Sequence, residues 1–183
     1  MPSEMTRRAL LVSSAIGTAL VAACASTAQT ASARAPIVFV HGNGDTAGLW
    51  ITTIWRFESN GWPRDRLHAI DIPYPLARTD DAVPEAGRTS TAEQRAYLAA
   101  EIDKVLASTG ARQVVLIGNS RGGYAIRNYI AHGGAAYVSA VVLCGVPNHG
   151  VWADLAFLPG SEFNGAGPFL TQLNAPQGPE GNE

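Results

Sequence analysis

Short, continuous apolar runs alternate with longer amphipathic stretches along this chain, and that alternation limits the fold more than any other feature. Ile37-Val38-Phe39-Val40 follows Pro36 and is β-branched or aromatic throughout, the pattern of a strand buried on both faces. Leu67 to Ile72 is a second run, stopped by Pro73 and Pro75. Val114-Val115-Leu116-Ile117 is a third, and Val138 to Leu143 a fourth. The stretches between them predict helices over 48–58, 91–108 and 121–131. Strands that alternate with helices in this way predict an α/β fold, a parallel sheet with helices on both faces.

The helix over 91–108 carries the fullest set of local signals. Ser90-Thr91-Ala92-Glu93 is a capping box, in which hydroxyl and carboxylate satisfy the free N–H groups of the first turn. Leu98, Ile102, Val105 and Leu106 follow at helical spacing, and Gly110 stands where a left-handed cap belongs. Residues 73–90, with three prolines and one glycine, read as a long surface loop. A chain of 183 residues, 46% hydrophobic and 15% charged, is a core-forming composition of one-domain size. A net charge of −2 and a pI near 6.1 offer no basic patch, which argues against a nucleic-acid partner.

The first 33 residues read as an export signal, leaving 34–183 as the folded domain. Arg7 and Arg8 precede an uncharged, mostly apolar run from Ala9 to Ala23. That run is shorter than the about 20 apolar residues a bilayer span requires. Thr6-Arg7-Arg8-Ala9-Leu10-Leu11 resembles a twin-arginine signal. Ala31-Ser32-Ala33 is an A-x-A cleavage site, whereas Val21-Ala22-Ala23-Cys24 resembles a lipoprotein box that would put a lipid on Cys24. Either exit predicts an exported protein: periplasmic, held at the outer membrane, or secreted. Cys144 is then the remaining cysteine, so neither a disulfide nor a zinc site is expected.

Two motifs carry the chemistry. Gly118-Asn119-Ser120-Arg121-Gly122 fits G-x-S-x-G directly after a predicted strand and directly before a predicted helix. So sharp a turn strains the serine backbone and exposes its Oγ, and Gly118 and Gly122 lack the Cβ atoms that would collide there. Ser120 also stands at a helix N-terminus, which favours developing negative charge. His41-Gly42-Asn43-Gly44 follows the first strand. Acyl transfer needs two N–H donors aimed at a tetrahedral oxyanion. The backbone N–H groups of Asn43 and Arg121 are the candidates, with His41 bracing the loop and Gly42 and Gly44 relieving strain in it. For the oxyanion hole only the backbone N–H of Arg121 is used, so its side chain matters little there.

Val38-Phe39-Val40-His41-Gly42 together with Gly118-Asn119-Ser120-Arg121-Gly122-Gly123 resembles the α/β-hydrolase superfamily, and is similar in particular to secreted bacterial lipases and esterases. Gly145-Val146-Pro147-Asn148-His149-Gly150 resembles the G-T-P-x-x-G turn of lipases. The resemblance covers about residues 36–175. It implies a carboxylic ester hydrolase with Ser120 as nucleophile, an ester or lipid substrate, and no cofactor; a polyester depolymerase would share these features. The superfamily places an acid and then a histidine after later strands. After Leu143 no further strand-like run follows, and residues 174–183 read as loop. The expectation is therefore an N-terminal portion of the fold, a fragment or truncated product. From another class, the rival is a non-catalytic remnant or surface lipoprotein, whose fourth strand would be an exposed apolar edge.

The other candidates are few. His149, after the end of a strand, is expected to shape a pocket wall or turn; the bolder alternative is a Ser120–His149–Asp154 triad. Asp71 is expected to cap or orient a loop, and Asp45, Asp80 and Asp81 to be solvated loop charges. No metal-binding constellation is evident. Trp50, Trp55, Phe57 and Trp62 are expected to pack in the core or a pocket, with an acyl-chain contact surface as the alternative.

Overall fold

The computed structural model describes residues 34–151 and 158–175. The export signal, the Cys24 lipidation site and Asp154 lie outside the described residues. Four parallel strands form the main sheet: β1 (Ile37–Val40), β2 (Leu67–Ile70), β5 (Val114–Asn119) and β6 (Val138–Cys144). They lie side by side in the order β2-β1-β5-β6. The helices are α1 (Ile51–Ser59), α2 (Thr91–Thr109), α3 (Arg121–Ala131) and α4 (Pro168–Leu173).

Alternation along β1 sorts the core into two layers, because successive side chains leave a strand on opposite faces. Val38 and Val40 point to one face, where Leu98, Ile102 and Val105 of α2 meet Ala125, Ile126 and Tyr129 of α3. Ile37 and Phe39 point to the other, against Trp50 and Ile54. Helices thus cover both faces, as the sequence predicts. Phe39 is the centre of an aromatic stack, with ring centroids 5.3 Å from Trp50 and 5.7 Å from Phe57, and Trp62 lies 5.4 Å beyond Phe57. These three aromatics therefore belong to the core, not to an acyl-chain surface. Trp55 alone faces outward, 61% exposed.

The α2 signals hold in detail. Ser90 Oγ accepts from the Glu93 N–H at 3.2 Å, and Glu93 Oε2 accepts from the Ser90 N–H at 2.7 Å. Gly110, at φ 65°, closes the helix in the left-handed conformation. The predicted helix over 48–58 begins with a 3-10 turn, Ala47–Trp50, before α1.

Two expectations need correction, and one element goes beyond them. Residues 73–90 are not a plain loop: β3 (Leu76–Ala77) and β4 (Arg88–Thr89) pair within them. Asp81 is not a solvated charge; it accepts from the Thr91 N–H at 2.7 Å and from Thr91 Oγ1 at 2.6 Å, satisfying one of the free donors at the start of α2. The stretch before residue 174 contains α4, which begins with Pro168 and buries Leu170 and Leu173 on Tyr124. It is too short for a periodic pattern to announce, but a proline at the first helical position was its local signal. Asp71 does orient a loop, accepting from the Ala47 N–H at 2.6 Å.

Two predictions follow from these contacts. Ser90→Ala removes one half of the capping box and is expected to lower stability by about 1 kcal/mol, read from urea denaturation. His68, on β2, has a buried Nε2 with no partner among the described residues. Burial pushes its pKa below the ordinary 6.5, with a backbone hydrogen bond at Asp65 working the other way. The unfolded chain then takes up this proton more readily than the folded one, so stability is lost as pH falls through the ordinary value. His68→Gln is expected to show a smaller drop in Tm between about pH 7.5 and about pH 5 than the parent protein.

Candidate active site

The site is built where β5 turns into α3. Ser120 occupies the turn with φ 49° and ψ −122°, a left-handed backbone that is costly for any residue with a Cβ. Its N–H is fixed by the Cys144 carbonyl at 2.9 Å, and its carbonyl accepts from the Gly123 N–H at 3.0 Å. The residue is half-buried, and its Oγ makes no hydrogen bond among the described residues. The turn is tight enough to need its glycines. A Cβ on Gly118 would come within 2.6 Å of Ile126 Cδ1, and one on Gly122 would collide with the carbonyl oxygens of Val40 and His41. The close approach of α3 to the end of β1 is thus possible only with glycine at 122.

That approach brings the two motifs together. A Cβ on Gly42 would stand 3.0 Å from Ser120 Cβ, so the loop after β1 lies directly against the serine. His41 is fully buried and braces that loop, as expected. Nε2 accepts from the Ile72 N–H at 3.0 Å, which leaves the proton on Nδ1, 3.0 Å from the Gly42 carbonyl. The imidazole therefore ties the end of β2 to the loop after β1. The Asn43 side chain is also committed, its Oδ1 accepting from the Ala77 N–H at 2.7 Å. Its backbone N–H has no partner among the described residues. The Arg121 N–H opens α3 and belongs to the first turn, whose donors have no partner within the helix. Gly44 adopts φ 70°, and Leu76 packs where its side chain would be.

The Arg121 side chain has a role that no local pattern announces. It is fully buried. All five guanidinium N–H groups are used: Nε to Glu162 Oε1 at 2.5 Å, Nη2 to Glu162 Oε2 at 2.7 Å and to the Thr89 carbonyl at 2.6 Å, and Nη1 to the Pro75 carbonyl at 2.9 Å and Thr89 Oγ1 at 3.0 Å. Burial pushes the Glu162 carboxyl above its ordinary value, and the Arg121 hydrogen bonds and charge pull it back. Sequence reasoning missed Glu162 entirely. The signal available was a lone charge among apolar and small residues, Gly160-Ser161-Glu162-Phe163, to be matched with an arginine inside a buried turn.

The remaining candidates do not complete a triad. His149 is exposed in the turn after β6 and makes no hydrogen bond to Ser120. His68 lies on β2, and His132, at the far end of α3, contacts the Asn128 carbonyl at 2.8 Å. Gly145-Val146-Pro147-Asn148-His149-Gly150 serves as a joint: Tyr124 Oη donates to the Pro147 carbonyl, and Arg127 holds Asn148 Oδ1 at 3.0 Å and Asn174 Oδ1 at 2.8 Å. Among the described residues no three histidine, cysteine or acidic side chains converge as a metal site would require.

The profile of the alpha/beta hydrolase family matches residues 37–180. Among solved structures, the mature form of the lipase BlEst2 of Bacillus licheniformis is 29% identical, with a TM-score of 0.51 over 68% of this chain and 46% of that one. Its propeptide form is also 29% identical, with a TM-score of 0.50 over 68% of this chain and 25% of that one. Phospholipase PlaB of Legionella pneumophila, at 16% identity, shares the fold, with a TM-score of 0.55 over 77% of this chain and 34% of that one. The chain spans less than half the length of these structures. Curated proteins gave no match.

Breaking the Arg121–Glu162 pair from one side leaves an uncompensated buried charge. Glu162→Leu is expected to cost about 3–5 kcal/mol, measured as a fall in the urea midpoint. A change below 1 kcal/mol would show that water reaches the guanidinium.

Proposed function

The chain belongs to the alpha/beta hydrolase family, and on that footing we propose that it hydrolyses carboxylic esters with the Ser120 hydroxyl as the attacking group. The carrying observation is the left-handed backbone of Ser120 at a strand-to-helix turn, pressed against the Gly42 loop. In this reading Oγ adds to the ester carbonyl. The oxyanion is held by the backbone N–H groups of Arg121 and Asn43, helped by the positive end of α3. The alcohol leaves, an acyl-serine remains, and water releases the acid. The proton on Oγ passes to a histidine base; no histidine hydrogen-bonds to Ser120 among the described residues. Support for an ester or lipid substrate comes from the G-V-P-N-H-G turn and from the likeness to a lipase. A polyester chain presents the same reacting bond.

A second reading, a non-catalytic remnant, is supported by the finding that no histidine hydrogen-bonds to Ser120 among the described residues. One experiment separates the two. The complete gene product is assayed on p-nitrophenyl acetate and octanoate beside its Ser120→Ala variant. The esterase reading expects the variant to lose at least about 10³-fold in kcat. Equal, substantial rates would remove Ser120 from the mechanism, and equal background rates would favour the remnant.

Export belongs to the same proposal, supported by the sequence of residues 1–33. Fractionation of expressing cells, with palmitate labelling of a Cys24→Ser variant as control, tests both export and the lipid on Cys24.

A further inference from the structure

We propose that Tyr74 and Leu76 form the wall that receives the acyl chain of the substrate, and so set which chain lengths the Ser120 site accepts. The proposal rests on the esterase reading above.

Among the described residues, two that are not glycine adopt positive φ: Ser120 and Tyr74, both at 49°. For a bulky residue that conformation costs on the order of 1–3 kcal/mol and persists only where neighbours enforce it. The neighbours here are the two loops of the candidate site. The Tyr74 carbonyl accepts from Thr89 Oγ1 at 3.1 Å. The Pro75 carbonyl accepts from the Gly44 N–H at 3.2 Å and from Arg121 Nη1 at 2.9 Å, and the Ala77 N–H donates to Asn43 Oδ1. Residues 74–77 are thereby fastened to the Asn43–Gly44 loop on one side and, through Arg121, to the serine turn on the other.

These bonds occupy the backbone and leave two apolar side chains unused. Tyr74 is 66% exposed and Leu76 is 41% exposed. Leu76 leans on the loop of the proposed oxyanion donor, its Cδ2 only 3.1 Å from where a Gly44 Cβ would stand. The charged groups bonded to this segment already have partners, with the Arg121 donors fully occupied. What the segment offers a ligand is therefore hydrocarbon and an aromatic ring next to the Asn43–Gly44 loop, which itself adjoins the loop residue packed on Ser120. Its counterpart is a neutral alkyl or aryl acyl group, which gains by leaving water in proportion to its apolar area.

The test compares Tyr74→Ala, Leu76→Ala and Tyr74→Phe in the complete gene product, with thermal melts to confirm folding. Both alanine variants are expected to lower the octanoate-to-acetate ratio of kcat/KM about tenfold, mostly through a higher KM for p-nitrophenyl octanoate. Tyr74→Phe, which keeps the ring, retains the parent ratio. A merely structural role would lower both esters alike, so an unchanged octanoate-to-acetate ratio overturns the proposal. Ser120→Ala runs alongside: if it still hydrolyses at the parental rate, the esterase reading fails, separately from the wall. If no form turns over, equilibrium dialysis of octanoate ester against Ser120→Ala decides. Tighter binding of octanoate than acetate, lost on adding Tyr74→Ala, is the expected result. Equal binding, or none, overturns the proposal.

Discussion

One buried guanidinium holds the candidate site in shape. Arg121 follows the serine directly, so whatever fixes its side chain also fixes the first turn of α3. Its five donors reach the Pro75 and Thr89 carbonyls, Thr89 Oγ1 and both oxygens of Glu162. The fork geometry of arginine suits such a set, since two parallel bonds to a carboxylate define direction as well as strength. Three segments distant in sequence, 75–77, 88–89 and 158–162, thus converge behind the serine turn. Burying the pair costs heavily in lost hydration, and full satisfaction of every N–H is what makes that burial tolerable.

Close packing of backbones is the second constraint, and it explains why glycines crowd the motif. Gly122 sits against the carbonyls of Val40 and His41, Gly118 against Ile126, and Gly123 against Val146. The same closeness that lets α3 rest on β1 brings Gly42 beside Ser120. A strained serine conformation is then one consequence of a packed junction, supported from below by the Cys144 carbonyl and from the side by the loop that His41 braces.

The sheet margins contrast with this centre. Among the described residues β6 pairs only with β5, and Val141, Val142 and Leu143 are exposed along it. An apolar strand with an open edge invites pairing with another strand. The apolar fourth strand expected from the sequence is therefore present and uncovered among the described residues, whereas the joint at Gly145–Gly150 is tied down by Tyr124, Arg127 and Asn174.

By itself the sequence determined whatever depends on neighbours within a turn or two. The continuous apolar run of β1, the capping box at Ser90, the left-handed Gly110 and the G-x-S-x-G turn are all local, and each appears where the residues put it. Contacts between remote segments were decided only in the tertiary structure. Nothing around Arg121 announces Glu162, 41 residues away; nothing at Asp81 announces the start of α2; nothing at Tyr74 reveals a strained backbone fastened to two loops. Local patterns record how a segment meets a generic core. A hydrogen bond between distant segments depends on where the whole sheet brings them, and that position is a property of packing that no short window of residues contains.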